Sequence, residues 1–297
     1  MLEGRAMKVC AVVVTYRPDL QLLARMLNAL AGQVDQVLIL DNASPSSLVP
    51  VLDTVPVRHH RCVRNRGLGW TQNLGARWAW RAGFDAVLLM DQDSVPHQGM
   101  VDTLIGVAGH PQLEPLAAVS PRPADAFHGR LFPIVGNRGG SPSGPWTECA
   151  FMISSGMLIS KTAWRAIGGM RAELFIDHID TEWCLRARAA GWRLVVASQA
   201  VLEHRLGDGG QWLWIGRWRW FPHHSPLRHY YMVRNSIWLS RQTELSRAIR
   251  HRLWSRPLGV VLFSLLLLPQ RGERLRRVIQ TCQDASAGVM GPINGVV

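Results

Sequence analysis

The amino-acid sequence predicts an α/β fold in which helices cover both faces of a mostly parallel sheet. In the first hundred residues, short apolar runs alternate with longer runs that repeat leucine and methionine at helical spacing. Strands that are separated by helices of this length build parallel sheets. In such sheets, ligands bind at the carboxyl ends of the strands. A functional site is therefore expected at that edge.

The predicted elements follow one another in a regular order. The strand-like runs are KVCAVVVTY (8–16), QVLILD (36–41), VRHHRCV (57–63) and AVLLMD (86–91), and the helical runs are LQLLARMLNAL (20–30) and GWTQNLGARWAWRAG (69–83). Thr15, Asp41 and Asp91 each stand at the end of a predicted strand. Three strands thus direct polar residues to one edge, which a purely structural protein has little reason to do.

The second half of the chain is less regular. Residues 109–148 are rich in proline and glycine and predict a long, mobile insertion near the site. FMISSGMLIS (151–160) predicts a strand that is interrupted by a turn of small residues. TEWCLRARAAG (181–191) predicts a helix that ends at its glycine, with Asp180 as its N-cap.

Composition narrows the classes of function. The chain has 297 residues, of which 47% are hydrophobic, and its formal charge is +12. This charge suggests an anionic partner, which leaves nucleic acid, a phosphorylated small molecule and an anionic membrane surface open. The five cysteines have no CxxC spacing, so neither a zinc site nor a redox pair is expected, and a reducing compartment fits. The first residues show no apolar region typical of a secretory signal.

Two C-terminal segments leave alternatives open. LGVVLFSLLLL (258–268), between Pro257 and Pro269, is too short to cross a bilayer, which needs about 20 helical residues. It predicts either a buried helix or an in-plane membrane anchor, because arginines lie on both sides of it. The four tryptophans of residues 211–224 predict either core packing or contact with sugar or a bilayer interface.

Two carboxylates, Asp91 and Asp93, follow the apolar run 86–90. A hard divalent cation such as Mg²⁺ typically binds one or two carboxylates together with substrate phosphates. In an extended segment these two side chains point to the same side, so both can face one ion or one diphosphate. Acidic triplets are common on solvated loops, but the position directly after a buried strand favours a functional site.

Two further clusters are candidates. Gly67 and Gly69 let the backbone approach a ligand, and the helix that follows offers free N–H groups to an anion. The segment does not match a dinucleotide fingerprint, because its third glycine is misplaced. Asp177, Asp180 and Glu182 cluster where a helix begins, although any one of these acids alone is more often structural.

The motifs together resemble those of the family 2 inverting glycosyltransferases, which have the GT-A nucleotide-diphospho-sugar transferase fold. In chain order they are VVVTYRP, LDNAS, NRGLGWTQNLG, LLMDQDS, SSGMLIS, LFIDHIDTEWCLR and LEHRLGD. HHSPLRHYYMVRN (223–235) is similar to the bacterial rhamnosyltransferase branch. The resemblance covers residues 8 to about 240. It implies a catalytic domain (1–210) with a nucleotide-sugar half (8–108) and an acceptor half (150–206), followed by a C-terminal helical extension (211–297).

The resemblance also implies roles for residues at matching positions. The nucleotide sugar would be held by Thr15, Tyr16, Arg17, Asp41, Asn65, Gly69, Asn73, Asp91 and Gln92. A divalent cation, Mg²⁺ or Mn²⁺, would be bound by Asp91, Asp93 and His204. The acceptor side would include Ser155, Gly156, Asp177, Glu182, Arg228 and Arg234. Asp180 falls at the position of the general base, with Asp177 as its rival because Ile179, and not a second acid, precedes Asp180.

The implied reaction transfers L-rhamnose from dTDP-β-L-rhamnose with inversion. A base takes the proton of the acceptor hydroxyl while the nucleoside diphosphate leaves from the opposite face. The acceptor would be a saccharide or a lipid-linked glycan in the synthesis of O-antigen, another surface polysaccharide or a rhamnolipid. The protein would be cytoplasmic, at the inner face of the cell membrane. Another nucleotide hexose remains an alternative donor. A basic nucleic-acid-binding protein is a second alternative, but it gives no reason for acids at strand ends, and no nucleic-acid partner is expected.

Overall fold

The predicted α/β fold is confirmed by a computed structural model, which describes residues 7–48, 51, 56–126, 129–134, 144–204, 210–214, 218–222, 224–242 and 247–293. The strands are β1 (Val9–Thr15), β2 (Gln36–Asp41), β3 (Arg58–Arg61), β4 (Ala86–Asp91), β5 (Ser94–Pro96), β6 (Leu116–Asp125), β7 (Trp146–Glu148), β8 (Met157–Ser160), β9 (Arg193–His204), β10 (Gly210–Trp214) and β11 (Trp218–Pro222). The helices are α1 (Leu20–Leu30), α2 (Leu68–Arg81), α3 (Met100–Ala108), α4 (Lys161–Ile167), α5 (Ile179–Ala189), α6 (Pro226–Ser240), α7 (Arg247–Leu267) and α8 (Arg271–Ala287).

The main sheet has the strand order β3-β2-β1-β4-β8-β6-β9-β5, and β7 pairs with β9. Strands β1 to β4 are parallel, β8 is antiparallel to both of its neighbours, and β6 and β9 run parallel to each other. The register sets Thr15 beside Asp41 and Val14 beside Asp91. Polar residues at the ends of three neighbouring strands therefore share one edge of the sheet.

Helices cover both faces of the sheet because the central strands are apolar on both sides. Val9, Ala11 and Val13 belong to a core that also contains side chains of α1 and α3. Cys10 and Val12 belong to a second core that is completed by α2, α4 and α5. Gly75 lets α2 lie directly on β1, because a Cβ atom there would come within 2.3 Å of a methyl group of Val12.

The mobile insertion predicted for residues 109–148 is wrong for much of that segment. Residues 116–125 form β6, which lies inside the sheet between β8 and β9. Pro121 lies where the pairing of β6 with β9 shifts register, between Ser120 and Arg122. A proline is tolerated at such an irregularity, because its missing N–H leaves no ladder hydrogen bond unmade. Residues 135–143 of the predicted insertion lie outside the described part of the chain.

The C-terminal extension begins with a hairpin of β10 and β11, which the helical prediction missed. Trp214 and Trp218 face each other across this hairpin and are both exposed, so core packing is wrong for these two. The side chains of Trp212 and Trp220 are outside the part of the chain that the structure describes. Helix α7 begins at Arg247 and continues through Pro257, so this proline does not bound the apolar helix as predicted. Among the described helices, none combines the length and apolar character needed to span a bilayer.

Candidate active site

A cavity of about 470 Å³ lies at the carboxyl-end edge of the sheet. Tyr16, Asn42 and Asn65 line it beside β1 and β2. Its other walls come from the end of β4, the end of β9, the start of α5 and the start of α6. The lining side chains there include Asp91, Gln92, Asp93, Asp177, His178, Asp180, His204, His224 and Arg228. One cavity therefore collects four acidic candidates from both halves of the chain, Asp91, Asp93, Asp177 and Asp180.

Asp91, Asp93 and His204 form a candidate metal site, in which one ligand atom from each lies within 4.8 Å of the others. Asp91 ends β4, whereas Asp93 lies in a turn and not in the extended segment that was predicted. This turn directs β5 against the end of β9, so that Ser94 pairs with His204. The histidine and the two acids are thus brought together by strand pairing over more than a hundred residues of sequence.

The electrostatics of this cluster fit a cation. Burial, and then the neighbouring Asp93 and Asp180 carboxylates, raise the pKa of Asp91 to about 7, and Arg228 opposes this rise. Burial lowers the pKa of His204, which favours the neutral imidazole. The Nδ1 atom of His204 lies 2.7 Å from the Ser94 hydroxyl, and a neutral ring that donates from Nδ1 presents the lone pair of Nε2. Two carboxylates and a neutral imidazole are a suitable donor set for a divalent cation.

The segment from Leu174 to Asp180, here called the acidic loop, has an unusual backbone. Phe175, Asp177 and His178 all have φ values between 62° and 66°. His178, with ψ 8°, is in the left-handed helical region, which aspartate and histidine enter more readily than other non-glycine residues. Phe175, with ψ −62°, has instead the strained conformation of a γ-turn. His178, and not Asp180 as predicted, is the N-cap residue of α5. Asp180 lies one residue inside the helix, and its carboxylate accepts a hydrogen bond of 2.7 Å from the N–H of Thr181.

Three consecutive residues of α6 hold the acidic loop in place. The side-chain amide of Asn235 donates to the carbonyl oxygens of Leu174, Ile176 and Asp177 at 2.8–2.9 Å. The Ser236 hydroxyl lies 2.8 Å from Nε2 of His178. Arg234 is buried, donates to the carbonyl oxygen of Leu174 at 3.1 Å, and lies 4.9 Å above the Tyr231 ring. The guanidinium of Arg234 is thus held within the protein, and its acceptor-side role stays a prediction.

The two rival acids have different surroundings. The Asp177 carboxylate is paired with the Arg228 guanidinium at 3.3–3.4 Å. For Asp180, burial raises the carboxyl pKa, while the Thr181 N–H and then His178 act in the opposite direction. A raised pKa makes a carboxylate a better proton acceptor near neutral pH.

The nucleotide side of the cavity rests on side chains that satisfy one another. Asp41 is 1% exposed, and its carboxylate accepts from the Ser44 N–H at 3.1 Å, from the Ser44 hydroxyl at 2.5 Å and from Thr15 at 3.4 Å. Arg61 lies 3.6 Å from the same carboxylate. Asp41 and Thr15 thus support the cavity from below, and neither side chain lines it.

Asn42 lines the cavity in place of Asp41, and the sequence analysis missed it. Its side-chain amide donates to Oδ1 of Asn65 at 2.7 Å, while its own oxygen accepts from the N–H of Arg66 at 2.9 Å. The available signal was the alternation of side chains along a strand, which turns Asn42 outward where Asp41 turns inward.

Tyr16 and Gln92 line the cavity, and Arg17 lies beside Tyr16. The backbone of Tyr16 and the amide of Gln92 exchange two hydrogen bonds, of 2.7 and 3.2 Å, which join the end of β1 to the Asp91–Asp93 turn. The Arg17 N–H donates to Ser44 at 2.9 Å, and its exposed guanidinium lies 5.2 Å from the centre of the Tyr16 ring.

Other predicted site residues serve the packing around the cavity and do not line it. A Cβ atom on Gly69 would lie 3.1 Å from the Arg171 carbonyl oxygen, so this glycine admits another chain segment and not a ligand. The Asn73 amide bonds the N–H and the carbonyl oxygen of Met170. Glu182 is buried between Arg171 and Arg186. In this structure these three residues contact other parts of the protein, and their contact with a ligand stays a prediction.

Ser155 and Gly156 lie behind the candidate metal site. The Ser155 hydroxyl accepts from the Asp91 N–H at 3.1 Å, so it positions the end of β4. Gly156 has φ +80°, and a Cβ atom there would lie 2.6 Å from Pro121. Neither residue lines the cavity, and their contact with the acceptor stays a prediction.

Comparisons with known proteins agree with this geometry. Residues 10–118 match the family model described as glycosyl transferase family 2. The chain is 29% identical over 300 residues to the dTDP-rhamnosyl transferase RfbF of Shigella flexneri, across 95% of this chain and 97% of that protein. Residues 10–118 thus match glycosyltransferase family 2, and the similarity to the relative extends over nearly the whole chain. The family resemblance seen in its motifs is thereby confirmed.

Solved structures show that this family 2 glycosyltransferase has the GT-A fold. The S. aureus TarS 1–349 structure in complex with UDP-GlcNAc matches 95% of this chain and 82% of its own, with a TM-score of 0.54 and 16% identity. The structure of GalNAc-T7 with UDP, GalNAc and Mn²⁺ matches 90% of this chain and 59% of its own, with a TM-score of 0.56 and 11% identity. The chain spans 49% of the longer TarS chain.

The protein is therefore an enzyme of the hexosyltransferase class, and inversion is consistent with its family. A family 2 glycosyltransferase takes a nucleotide-sugar donor and a saccharide acceptor. The Asp91, Asp93 and His204 cluster is its candidate site for a divalent cation.

Proposed function

We propose that this glycosyltransferase transfers L-rhamnose from dTDP-β-L-rhamnose to a hydroxyl of a saccharide or lipid-linked acceptor. The observation that carries the proposal is the similarity, over nearly the whole of both chains, to a relative named dTDP-rhamnosyl transferase. The motifs around Asp180 and at residues 223–235 support the same sugar. Another nucleotide hexose is the alternative donor.

The cavity divides the work between two sets of carboxylates. Asp91, Asp93 and His204 would hold Mg²⁺ or Mn²⁺, and such a cation, when bound, neutralises charge on the leaving diphosphate. Tyr16, Asn42 and Asn65 line the end of the cavity that is assigned to the nucleoside. This division explains why one strand end carries two closely spaced acids while a third acid stands across the cavity.

Asp180 is proposed as the general base. Asp177 is already paired with Arg228, whereas the carboxyl pKa of Asp180 is raised by burial. In the proposed step, the acceptor oxygen forms a bond to the anomeric carbon as the bond from that carbon to the diphosphate oxygen breaks. The acceptor proton moves to the Asp180 carboxylate, and the diphosphate leaves with the bonding electron pair. Displacement from the opposite face converts the β-linked donor into an α-rhamnoside.

The donor is tested by calorimetric titration of the protein with a panel of nucleotide sugars in the presence of Mg²⁺. We expect dTDP-rhamnose to bind at least tenfold more tightly than UDP-hexoses. Tighter binding of a UDP-hexose would show that the sugar assignment is wrong and would leave the family unchanged.

The cation is tested by its removal. Excess EDTA and the Asp93→Asn substitution should each lower transfer by several hundredfold or more, because the leaving diphosphate then lacks its counter-charge. Asp102→Asn, in the exposed first turn of α3, is the matched control and should leave the rate unchanged. Full turnover in EDTA would remove the cation from the proposal.

The reaction is proposed to take place in the cytoplasm at the anionic inner face of the cell membrane. The net charge of +12 and a lipid-linked acceptor both favour that location. The biosynthetic setting would be O-antigen, another surface polysaccharide or a rhamnolipid.

A further inference from the structure

Helix α7 exposes a line of large apolar side chains. Trp254, Leu258, Leu262 and Leu266 follow one another at intervals of four residues, and between 51% and 67% of each is exposed. Residues at this spacing lie on one side of a helix. Leu275 and Ile279 of α8 repeat the interval and are half exposed as well. Scattered exposed leucines need no explanation, but a continuous apolar stripe marks an interaction surface.

The orientation of α7 is fixed by its opposite side. Leu253, Pro257, Val261, Ser264 and Leu268 are all buried. The Ser264 hydroxyl lies 3.5 Å from the imidazole of His229 on α6, and Arg274 of α8 lies 2.9 Å from that same ring. The buried side therefore packs against α6 and α8. The apolar stripe faces outward while the helix is fully packed from behind.

The charge around the stripe is mainly positive, with Glu273 as an exposed acid at the start of α8. Helix α7 contains no aspartate or glutamate. Arg247, Arg250 and Arg252 are exposed in its first turns, and Arg271 and Arg276 are exposed at the start of α8. Arginines whose stems lie along an apolar surface can extend their guanidinium groups to lipid phosphates. This combination is typical of helices that lie in the plane of an anionic membrane.

We infer that α7 and the start of α8 form a docking face for a bilayer with anionic head groups. The docking face consists of the apolar stripe Trp254, Leu258, Leu262 and Leu266, with the arginines that flank it. A second copy of the chain is a poorer occupant, because a symmetric pairing of this face would bring arginines towards arginines. The inference deepens the proposed function, since a lipid-linked acceptor lies in such a surface.

Sedimentation with lipid vesicles tests the docking face. The intact protein should sediment with vesicles of phosphatidylglycerol and phosphatidylcholine, and much less with phosphatidylcholine alone. High salt should weaken the binding, because it screens the arginines. The double variant Leu258→Asn with Leu262→Asn should lower the partition coefficient at least tenfold. Val63→Asn with Leu131→Asn, two exposed apolar residues outside the docking face, should leave it unchanged.

A second variant keeps the test decisive if the leucine variant does not fold. Arg252→Gln with Arg276→Gln leaves the stripe intact and should lower binding to the anionic vesicles severalfold. Protein that remains in the supernatant with all vesicles at both salt concentrations would overturn the inference. So would a stable dimer that the leucine variant converts to monomer while vesicle binding is absent.

Donor titration in the absence of vesicles separates this inference from the proposed function. Intact vesicle binding by a protein that does not bind dTDP-rhamnose would overturn the sugar proposal alone. Tight dTDP-rhamnose binding by a protein that ignores vesicles would overturn the docking face alone. The leucine variant should retain the dTDP-rhamnose affinity of the unmodified chain, because neither leucine lines the cavity.

Discussion

The nucleotide side of the cavity and the acidic loop are built in different ways. On the nucleotide side, polar residues stand at the ends of adjacent strands and bond to one another, as Asp41 does with Ser44 and Thr15. The acidic loop has three residues with positive φ and is held from outside by Asn235 and Ser236 of α6, almost sixty residues later in the chain. Strand register therefore positions the first region, whereas a distant helix positions the carboxylate proposed as the base.

The largest expected effect comes from Asp180→Asn. The amide keeps the size of the side chain but cannot take a proton, so transfer should fall by about 10² to 10⁴-fold. Donor binding and thermal stability should change little. Single-turnover rates and calorimetric donor titration measure the two effects separately.

Asp177→Asn is the control for the base. This substitution removes the carboxylate charge that pairs with Arg228, so less of the guanidinium charge is neutralised by the protein when a phosphate enters the cavity. We expect donor binding as tight as in the unmodified chain and transfer within severalfold of it. If Asp177→Asn abolishes transfer while Asp180→Asn is active, the roles of the two acids are reversed.

A smaller effect is expected when the support of the acidic loop is removed. Asn235→Ala leaves three carbonyl oxygens of the loop without this donor, which should lower the free energy of unfolding by about 1–3 kcal/mol. Transfer should fall more than tenfold, because the loop carries Asp180. Denaturant unfolding and initial rates are the measurements.

Asn73→Ala is the matched loss of a partly buried side-chain amide, which lies on α2 and bonds to Met170. Its two hydrogen bonds to Met170 are of similar length, so the loss of stability should be similar. The rate should fall much less than in Asn235→Ala. Equal losses of rate in both variants would contradict the view that α6 acts specifically on the acidic loop.

The smallest expected effect concerns Asp91 in the metal-free protein. Its pKa is raised to about 7 in the folded state, so ionising this carboxyl costs stability, and the cost develops as pH rises from about 4 to 7. Asp91→Asn should therefore stabilise the metal-free protein at pH 8 by about 1–2 kcal/mol, because the cavity is open to water, and should have no such effect at pH 4. Unfolding at both pH values is the measurement. A variant that is less stable than the unmodified chain at pH 8 would contradict this account.

The sequence predicted what depends on local pattern. The apolar runs of the first hundred residues placed Asp91 and Asp93 at the correct edge, because the point where a buried strand ends is visible in the local sequence. The prolines of residues 116–125 prevented the prediction of β6, because the irregularity that tolerates Pro121 exists only where β6 pairs with β9. The formation of β6 therefore depends on its pairing with β9, which is distant in sequence.

The sequence was a poorer guide to which polar residues line the cavity and which pack around it. Glu182 and Arg234 have the charges that a substrate would need, yet both side chains are bonded to other groups of the protein. Whether a charged side chain faces the cavity depends on which segments pack against it, and motif spacing carries no such information. Asn42 shows the converse, since its neighbour Asp41 was the stronger motif residue but turned away from the cavity.

The contact between α6 and the acidic loop bears on how such enzymes can be recombined. A chimera of two relatives joined near residue 210 would take its base-bearing loop from one parent and Asn235 from the other. The three carbonyl oxygens of the loop would then come from one parent and the amide that donates to them from the other. A junction beyond Ser240 keeps both partners together, so α7 and α8 should be exchangeable between relatives without separating the acidic loop from its support.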